Sequence, residues 1–146
     1  ALAMRFRELT LRVDPDRPKV ESLIDYRQFC RPASSEMEAI TVTELKALLD
    51  SAPDEIALVD VRNPAEAEVA SIEGSHLVPL ASLESGEAID RVRALAEGRR
   101  LLVHCKLGGR SARAVELLAQ QGIAATNVTG GIDAWSQQVD PAIPRY

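Results

Sequence analysis

The chain has 146 residues, of which 46% are hydrophobic and only 3% aromatic, so it has enough apolar side chains for one folded domain. No uninterrupted apolar run exceeds four residues, whereas a membrane-spanning helix needs about 20. The formal net charge of −5 argues against general nucleic-acid binding, and two cysteines cannot form a disulfide framework or a four-ligand zinc site. No signal-peptide pattern opens the chain. We therefore expect a cytoplasmic protein that binds no nucleic acid and no membrane.

The first part of the chain differs in composition from the rest. Residues 1–31 carry seven basic and five acidic side chains, and all eight glycines lie at or after Gly74. Three of the eight prolines fall within the first 32 residues, which is typical of a connecting segment. We interpret residues 1–38 as an arm or linker and residues 39–146 as a folded domain. Cys30 lies in the arm, and no motif surrounds it.

After the arm, the spacing of apolar residues alternates between that of helices and that of strands. Thr41 and Glu44 form a capping-box pattern before a first helix. Short apolar runs typical of buried strands occupy residues 56–61, 76–79, 101–104 and 125–128. Helical patterns occupy residues 64–69, 82–97, 110–121 and 132–139. Strands that alternate with helices at this spacing predict an α/β domain with a largely parallel sheet.

Cys105 is the candidate reactive residue. It follows the predicted strand 101–104, at the sheet edge where parallel sheets bind ligands. A four-residue segment joins it to a helix that begins at Arg110; its members are Lys106, Leu107, Gly108 and Gly109. Glycines allow successive N–H groups to converge on one point, towards which the positive end of the helix dipole also points. Lys106, Arg110 and Arg113 add positive charge. We therefore predict a Cys105 thiol with a lowered pKa, and a buried structural cysteine is the alternative.

Polar residues near the first predicted strand of the domain could support this site. Asp60, Arg62 and Glu66 lie close in sequence at the strand end, where we expect an ion-pair network that holds the loop. A catalytic role for Asp60 is the alternative. His104 should point to the sheet face opposite Cys105, because side chains alternate along a strand. We interpret it as a core residue and not as a general base.

Three segments of the domain together carry a family resemblance. They are VDVRNPAEAEVASIEGSHLVPL at residues 59–80, HCKLGGRS at residues 104–111 and GGIDAW at residues 130–135. These segments are similar to motifs of the rhodanese family, and the similarity extends from about Ile40 to the end of the sequence. The resemblance implies a rhodanese-like α/β fold, in which a parallel sheet of about five strands is flanked by helices on both faces.

The same resemblance implies a chemical role for the thiol. In the rhodanese family, a cysteine at the position of Cys105 accepts sulfane sulfur as a persulfide and passes it on. The backbone of the following loop, here Lys106, Leu107, Gly108, Gly109 and Arg110, cradles the terminal sulfur. Asp60, Arg62 and Arg113 are then supporting residues. The resemblance implies neither a cofactor nor a metal.

The arm carries a second resemblance. The segments LTLRVDPDRPKV at residues 9–20 and LIDYRQFC at residues 23–30 are similar to the tail of adenylyltransferases that activate sulfur carriers, among them those of molybdenum cofactor biosynthesis. This implies an adenylyltransferase domain fused upstream and a ubiquitin-like sulfur-carrier protein as acceptor. The donor would be thiosulfate or the persulfide of a cysteine desulfurase. Arg17 and Val20 stand where many of these enzymes have zinc-binding cysteines, so we expect no zinc site.

Two other functions are alternatives within the same family. Rhodanese-like phosphatases have five residues between the cysteine and the arginine, and the longer loop holds a phosphate, whereas four residues separate Cys105 from Arg110. Non-catalytic rhodanese-like binding modules usually lack the cysteine, which this chain retains. We therefore predict a sulfurtransferase of the thiosulfate sulfurtransferase, or rhodanese, type.

Overall fold

The computed structural model describes residues 38–146, which form five strands and six α-helices. The strands are β1 (Ala39–Ile40), β2 (Ile56–Asp60), β3 (His76–Leu77), β4 (Arg100–His104) and β5 (Thr126–Val128). The helices are α1 (Val42–Ser51), α2 (Pro64–Val69), α3 (Leu80–Glu84), α4 (Ile89–Leu95), α5 (Gly109–Gln120) and α6 (Gly131–Gln138). Apart from Glu38, the predicted arm lies outside the described residues, as does Cys30. Within the described part, no helix is long and apolar enough to cross a membrane.

The five strands form one parallel sheet in the order β1-β5-β4-β2-β3. Val59 of β2 lies opposite Val103 of β4, and Asp60 lies opposite His104. The chain leaves β2 towards β3 on one side, and then returns to place β4 and β5 on the other side. The strand order therefore reverses at β2 and β4, and α/β proteins commonly bind ligands beyond the carboxyl ends of strands at such a point. The predicted α/β class and five-stranded parallel sheet are confirmed.

Helices cover both faces of the sheet, as predicted, because its strands are apolar on both sides. The core between the sheet and helices α3, α4 and α5 includes Val59, Val92, Val103, Cys105 and Leu118. The core between the sheet and helices α1 and α6 includes Leu45, Leu58, Leu102, Ile132 and Trp135. Burial of each large apolar side chain stabilises the fold by about 1.5 to 3 kcal/mol.

The start of α1 matches its sequence pattern. The hydroxyl of Thr41 accepts the N–H of Glu44 at 3.3 Å, and the carboxylate of Glu44 accepts the N–H of Thr41 at 2.7 Å. This reciprocal pair satisfies two N–H groups that the first helical turn leaves free. The predicted capping box is confirmed.

Two parts of the fold differ from the sequence prediction. The prediction of a single helix over residues 82–97 is wrong, because the two short helices α3 and α4 occupy this region. Gly86 lies between them with a φ of +82°, which a continuous right-handed helix does not contain. Strand β1 was not predicted, since two residues are too few to show a period. It forms because Ile40 pairs with Val128 of β5.

Candidate active site

The thiol of Cys105 lies at the carboxyl edge of the sheet, between the end of β4 and the start of α5. We call residues 105–110 the Cys105 loop. The N–H of Gly108 donates a hydrogen bond to Sγ of Cys105 at 3.1 Å. The hydroxyl of Ser111 lies 3.4 Å from the same Sγ and 3.0 Å from the carbonyl oxygen of Gly108, so its single proton can serve either acceptor. Cys105 is only 2% exposed. The loop therefore encloses the sulfur atom closely.

These contacts decide the ionisation of the thiol. Burial raises the pKa of Cys105, but hydrogen bonds from the hydroxyl and N–H of Ser111, and from the N–H groups of Gly108 and Leu107, outweigh it and leave the pKa below its ordinary value. An anionic sulfur accepts these hydrogen bonds more strongly than a neutral thiol does. The amino end of α5 adds partial positive charge. The site thus favours the nucleophilic thiolate.

The Ser111 contact gives a first testable expectation. Ser111→Ala should raise the pKa of Cys105, because the thiolate loses one of its donors. The rate of Cys105 alkylation by iodoacetamide at pH 7 should fall by about fivefold. The pH dependence of alkylation, followed on the Cys105 peptide by mass spectrometry, measures this change. Ser82→Ala on α3 is the control, and an unchanged pH profile for Ser111→Ala would show that its hydroxyl does not stabilise the sulfur.

The amino end of α6 holds the first residues of the Cys105 loop. The N–H of Ile132 donates to the carbonyl oxygen of Cys105 at 2.9 Å, and the N–H of Asp133 donates to that of Lys106 at 3.1 Å. Gly131 permits this approach, since a Cβ at that position would overlap the Cys105 carbonyl oxygen and lie 2.7 Å from that of Lys106. The GGIDAW segment therefore supports the loop from a different helix.

Arg110, at the other end of the loop, is held by Glu66 of α2. Its Nη1 and Nη2 atoms lie 2.6 and 2.7 Å from the two carboxylate oxygens of Glu66. The hydrogen bonds from Arg110 lower the pKa of Glu66 from its ordinary value of 4.5 to about 2, and the same contact raises the pKa of Arg110. The sequence predicts that Arg110 adds positive charge next to the thiol. In the structure, Glu66 compensates that charge.

This ion pair predicts a contribution to acid stability. Because folding lowers the pKa of Glu66 to about 2, the contribution is complete above about pH 5 and is lost progressively as the pH falls towards 2. Glu66→Gln should therefore lower the free energy of unfolding at pH 7 by about 1 kcal/mol and should flatten its decline in acid. The expected loss in the free energy of unfolding is small because the Arg110 side chain is 35% exposed and solvent screens the ion pair.

Urea unfolding at pH 7 and at pH 3 measures the effect. Glu116→Gln removes an exposed carboxylate that pairs with Arg113 at 3.3 Å, and it provides a matched control with little expected change. An equal loss of stability at both pH values would contradict the assignment to Glu66 ionisation.

Asp60 and Arg62 form a buried ion pair at the end of β2. Nε of Arg62 lies 2.9 Å from Oδ1 of Asp60, and both side chains are at most 1% exposed. Arg62 also donates to the carbonyl oxygens of Ala70 at 2.7 Å and Glu66 at 3.3 Å. The pair thus ties the end of β2 to α2. The predicted ion-pair network of Asp60, Arg62 and Glu66 therefore differs at Glu66, whose carboxylate binds Arg110 and not Arg62.

His104 and Arg113 lie apart from the sulfur atom. His104 is fully buried, and burial lowers its pKa to about 4, so the ring is neutral at pH 7. Its Nε2 has no hydrogen-bond partner within the described residues. The Arg113 side chain is 52% exposed and contacts Glu116. Neither residue touches Sγ of Cys105.

Lys106 points towards Tyr146, a residue that the sequence analysis did not consider. Its Nζ donates to the main-chain carbonyl oxygen of Tyr146 and lies 4.2 Å from the centre of the tyrosine ring. Leu107, next in the loop, is 67% exposed. The structure thus gathers Gly108 and Ser111 around the sulfur of Cys105. The side chains of the two basic loop residues bind partners outside the loop.

Two contributors to the site, Ser111 and Tyr146, had no predicted role. Ser111 was quoted within HCKLGGRS but was given no role, although its place in the first turn of α5 is compatible with one. Glu66 was predicted within the helical pattern of residues 64–69 and within the ion-pair network, but its partner Arg110 was not predicted. Glu66 also follows Asn63 by three residues, a capping-box spacing that the structure confirms. Tyr146 has no motif around it. Among residues 38–146, no cluster of three or more His, Cys, Asp or Glu side chains could hold a metal ion.

A cysteine enclosed by a short glycine-rich loop, at the reversal point of a parallel sheet, defines an α/β protein with a candidate thiolate site. Residues 41–138 match the family model of the rhodanese-like domain. The chain belongs to the rhodanese-like family.

The chain is similar in sequence to part of several longer proteins. The probable adenylyltransferase/sulfurtransferase MoeZ of Mycobacterium tuberculosis is 37% identical, and the match covers 100% of this chain but 38% of MoeZ. The adenylyltransferase and sulfurtransferase MOCS3 of Aedes aegypti is 34% identical over 97% of this chain and 37% of its own length. The chain therefore spans well under half of these relatives.

The fold is similar to solved structures as well. The crystal structure of a rhodanese-like domain protein from Staphylococcus aureus has a TM-score of 0.61 and 31% identity. The match covers 75% of this chain and 99% of that one. The chain therefore resembles that domain over nearly the whole of its length.

Proposed function

We propose that the chain is a rhodanese-type sulfurtransferase that carries sulfane sulfur as a persulfide on Cys105. The observation that carries the proposal is the close enclosure of Sγ by the Gly108 N–H at 3.1 Å and the Ser111 hydroxyl at 3.4 Å. A thiolate held by such donors can accept one sulfur atom and keep its negative charge stabilised. The relatives MoeZ and MOCS3, both named as sulfurtransferases, support the proposal.

The chemistry needs no metal and no external oxidant. The Cys105 thiolate attacks the outer sulfur of thiosulfate, the S–S bond breaks, and sulfite leaves with the bonding electron pair. The new Cys105 persulfide carries its negative charge on the terminal sulfur. We propose that the N–H groups of residues 106–110 hold this atom. An acceptor nucleophile such as cyanide then removes the terminal sulfur and restores the thiolate. The persulfide of a cysteine desulfurase could deliver sulfur by the same exchange.

We further propose a ubiquitin-like sulfur-carrier protein as the physiological acceptor, in a pathway such as molybdenum cofactor biosynthesis. The terminal sulfur attacks the adenylated carboxyl group of the carrier, AMP leaves, and an acyl disulfide to Cys105 forms. A thiol then attacks the Cys105 sulfur, which releases the carrier thiocarboxylate and leaves Cys105 in a mixed disulfide. A second thiol reduces the mixed disulfide and restores the Cys105 thiolate. The adenylate comes from an adenylyltransferase domain fused upstream through residues 1–38. The match to MoeZ over 100% of this chain supports that arrangement. The cytoplasmic location stays a prediction.

Two measurements test the proposed function. Native protein incubated with thiosulfate should yield a Cys105 peptide that is heavier by one sulfur atom, and a dithiol should reverse this change. Carrier protein supplied with the full adenylyltransferase, ATP, thiosulfate and a thiol should acquire a thiocarboxylate. Absence of the persulfide would contradict the sulfurtransferase, whereas a persulfide without a thiocarboxylate would contradict only the carrier.

The rival phosphatase function is tested on the same protein. Four residues between Cys105 and Arg110 leave little room for a tetrahedral phosphate, and the Arg110 side chain that would hold it is bound to Glu66. We therefore expect no hydrolysis of aryl phosphates. Hydrolysis faster than sulfur transfer to cyanide would favour the phosphatase.

A further inference from the structure

Tyr146 contacts the Cys105 loop directly at Lys106 and reaches its other end, Arg110, through Glu66. At the first end, its ring and main-chain carbonyl oxygen hold the ammonium group of Lys106. At the second end, its hydroxyl lies 3.3 Å from Oε1 of Glu66, the carboxylate that holds Arg110. The hydroxyl also accepts a hydrogen bond from Nη1 of Arg62 at 2.6 Å. One side chain thus joins the loop to the buried ion pair at the end of β2.

The segment that carries Tyr146 is itself fixed to α6. Nε of Arg145 lies 2.9 Å from Oδ1 of Asp133, and the Ser136 hydroxyl donates to the carbonyl oxygen of Ile143 at 2.6 Å. The N–H of the same Asp133 supports the loop backbone at Lys106. Tyr146 therefore presents its contacts from a segment that α6 orients.

We propose that Tyr146 is a positioning residue for the Cys105 loop, which keeps the Gly108 N–H and the Ser111 hydroxyl converged on the sulfur atom. The loop contains two adjacent glycines, so its backbone has many alternative conformations that must be excluded. The direct contact at Lys106 and the link through Glu66 to Arg110 exclude them before the substrate arrives. Donors fixed in advance stabilise charge best. The consequence for sulfur transfer rests on the proposed function, whereas the effect on the thiol does not.

The pKa of the Cys105 thiol can be used to measure the effect of Tyr146. Burial raises the pKa of Tyr146, so its phenol is neutral at pH 7, and its replacement changes no charge near the sulfur. The charged groups at the loop ends, Lys106, Arg110 and Glu66, all stay in the chain. A change in the pKa of Cys105 would therefore report the geometry of its hydrogen-bond donors.

The experiment compares Tyr146→Ala, Tyr146→Phe and the wild type, all as the full chain. The pH dependence of iodoacetamide alkylation is followed on the Cys105 peptide by mass spectrometry, and kcat/KM is measured with thiosulfate and cyanide. Tyr146→Ala should raise the pKa of Cys105 by about one unit and slow alkylation at pH 7 about tenfold. Tyr146→Phe keeps the ring near Lys106 and loses only the hydroxyl, so the slowing should be about threefold. We expect kcat/KM to fall in the same order.

Val69→Ala is the control, since it shortens an exposed apolar side chain on α2, and it should leave both measurements unchanged. Alkylation profiles of both Tyr146 variants that match the wild type would overturn the proposal, even if kcat fell. If Tyr146→Ala does not fold, as judged by circular dichroism, Tyr146→Phe decides alone. A shifted alkylation profile in a protein that transfers no sulfur would leave the positioning role standing and contradict the proposed function.

Discussion

Cys105→Ser should abolish the transfer of sulfur from thiosulfate to cyanide and leave the fold intact. A serine hydroxyl is far harder to ionise than a thiol, and the sulfur chemistry requires a thiolate that can form and break S–S bonds. The change is small in volume, so the surrounding core keeps its packing. Steady-state turnover and circular dichroism measure the two expectations.

Cys30→Ser is the matched control, because it removes the other cysteine of the chain. Its turnover should stay close to that of the wild type. A loss of more than about tenfold, which corresponds to about 1.4 kcal/mol in the barrier, would give Cys30 a role in the reaction. Substantial turnover in Cys105→Ser would refute the assignment of Cys105 as the catalytic residue.

Gly131→Ala should strongly destabilise the domain. Gly131 has a φ of +54°, and a Cβ there would overlap the Cys105 carbonyl oxygen. The methyl group must push the loop away from α6, which breaks the hydrogen bonds from Ile132 and Asp133. We expect the free energy of unfolding to fall by about 2 to 4 kcal/mol. Sulfur transfer should fall as well, because the loop moves.

Gly122→Ala separates the two causes of this loss. Gly122 also has a positive φ, of +71°, but a Cβ there would meet no atom within 4 Å. The control variant should therefore lose only the conformational part, about 1 kcal/mol, and keep its sulfur transfer. Equal losses of stability in urea unfolding would show that the contact with the loop carries no extra cost.

The sequence was sufficient for the features whose causes are local. Buried strands appear as apolar runs, and the Thr41 capping box is visible within four residues. The Cys105 loop could also be predicted, since the strand, the glycines and the helix follow one another directly. The end of α3 before Gly86 could not be predicted, because a glycine within a helical pattern is often tolerated.

The remaining parts of the site depend on contacts between distant residues. Glu66 and Arg110 are 44 positions apart, and Glu66 and Tyr146 are 80 positions apart. Neither pair follows from periodicity, because each requires α2 to lie beside the carboxyl ends of β2 and β4. The prediction that Arg110 adds positive charge beside the thiol therefore did not include Glu66, whose carboxylate compensates that charge.

The burial of Asp60 and Arg62 restricts how these two positions can change in related sequences. Loss of one partner leaves an uncompensated charge in the interior, which costs about 3 to 5 kcal/mol. A joint exchange for two apolar residues avoids that penalty, yet it would strip the carbonyl oxygen of Ala70 of the donor that Arg62 provides. If the two residues are replaced one at a time, the sequence with a single substitution is therefore destabilised. Single substitutions at these two positions are therefore strongly disfavoured.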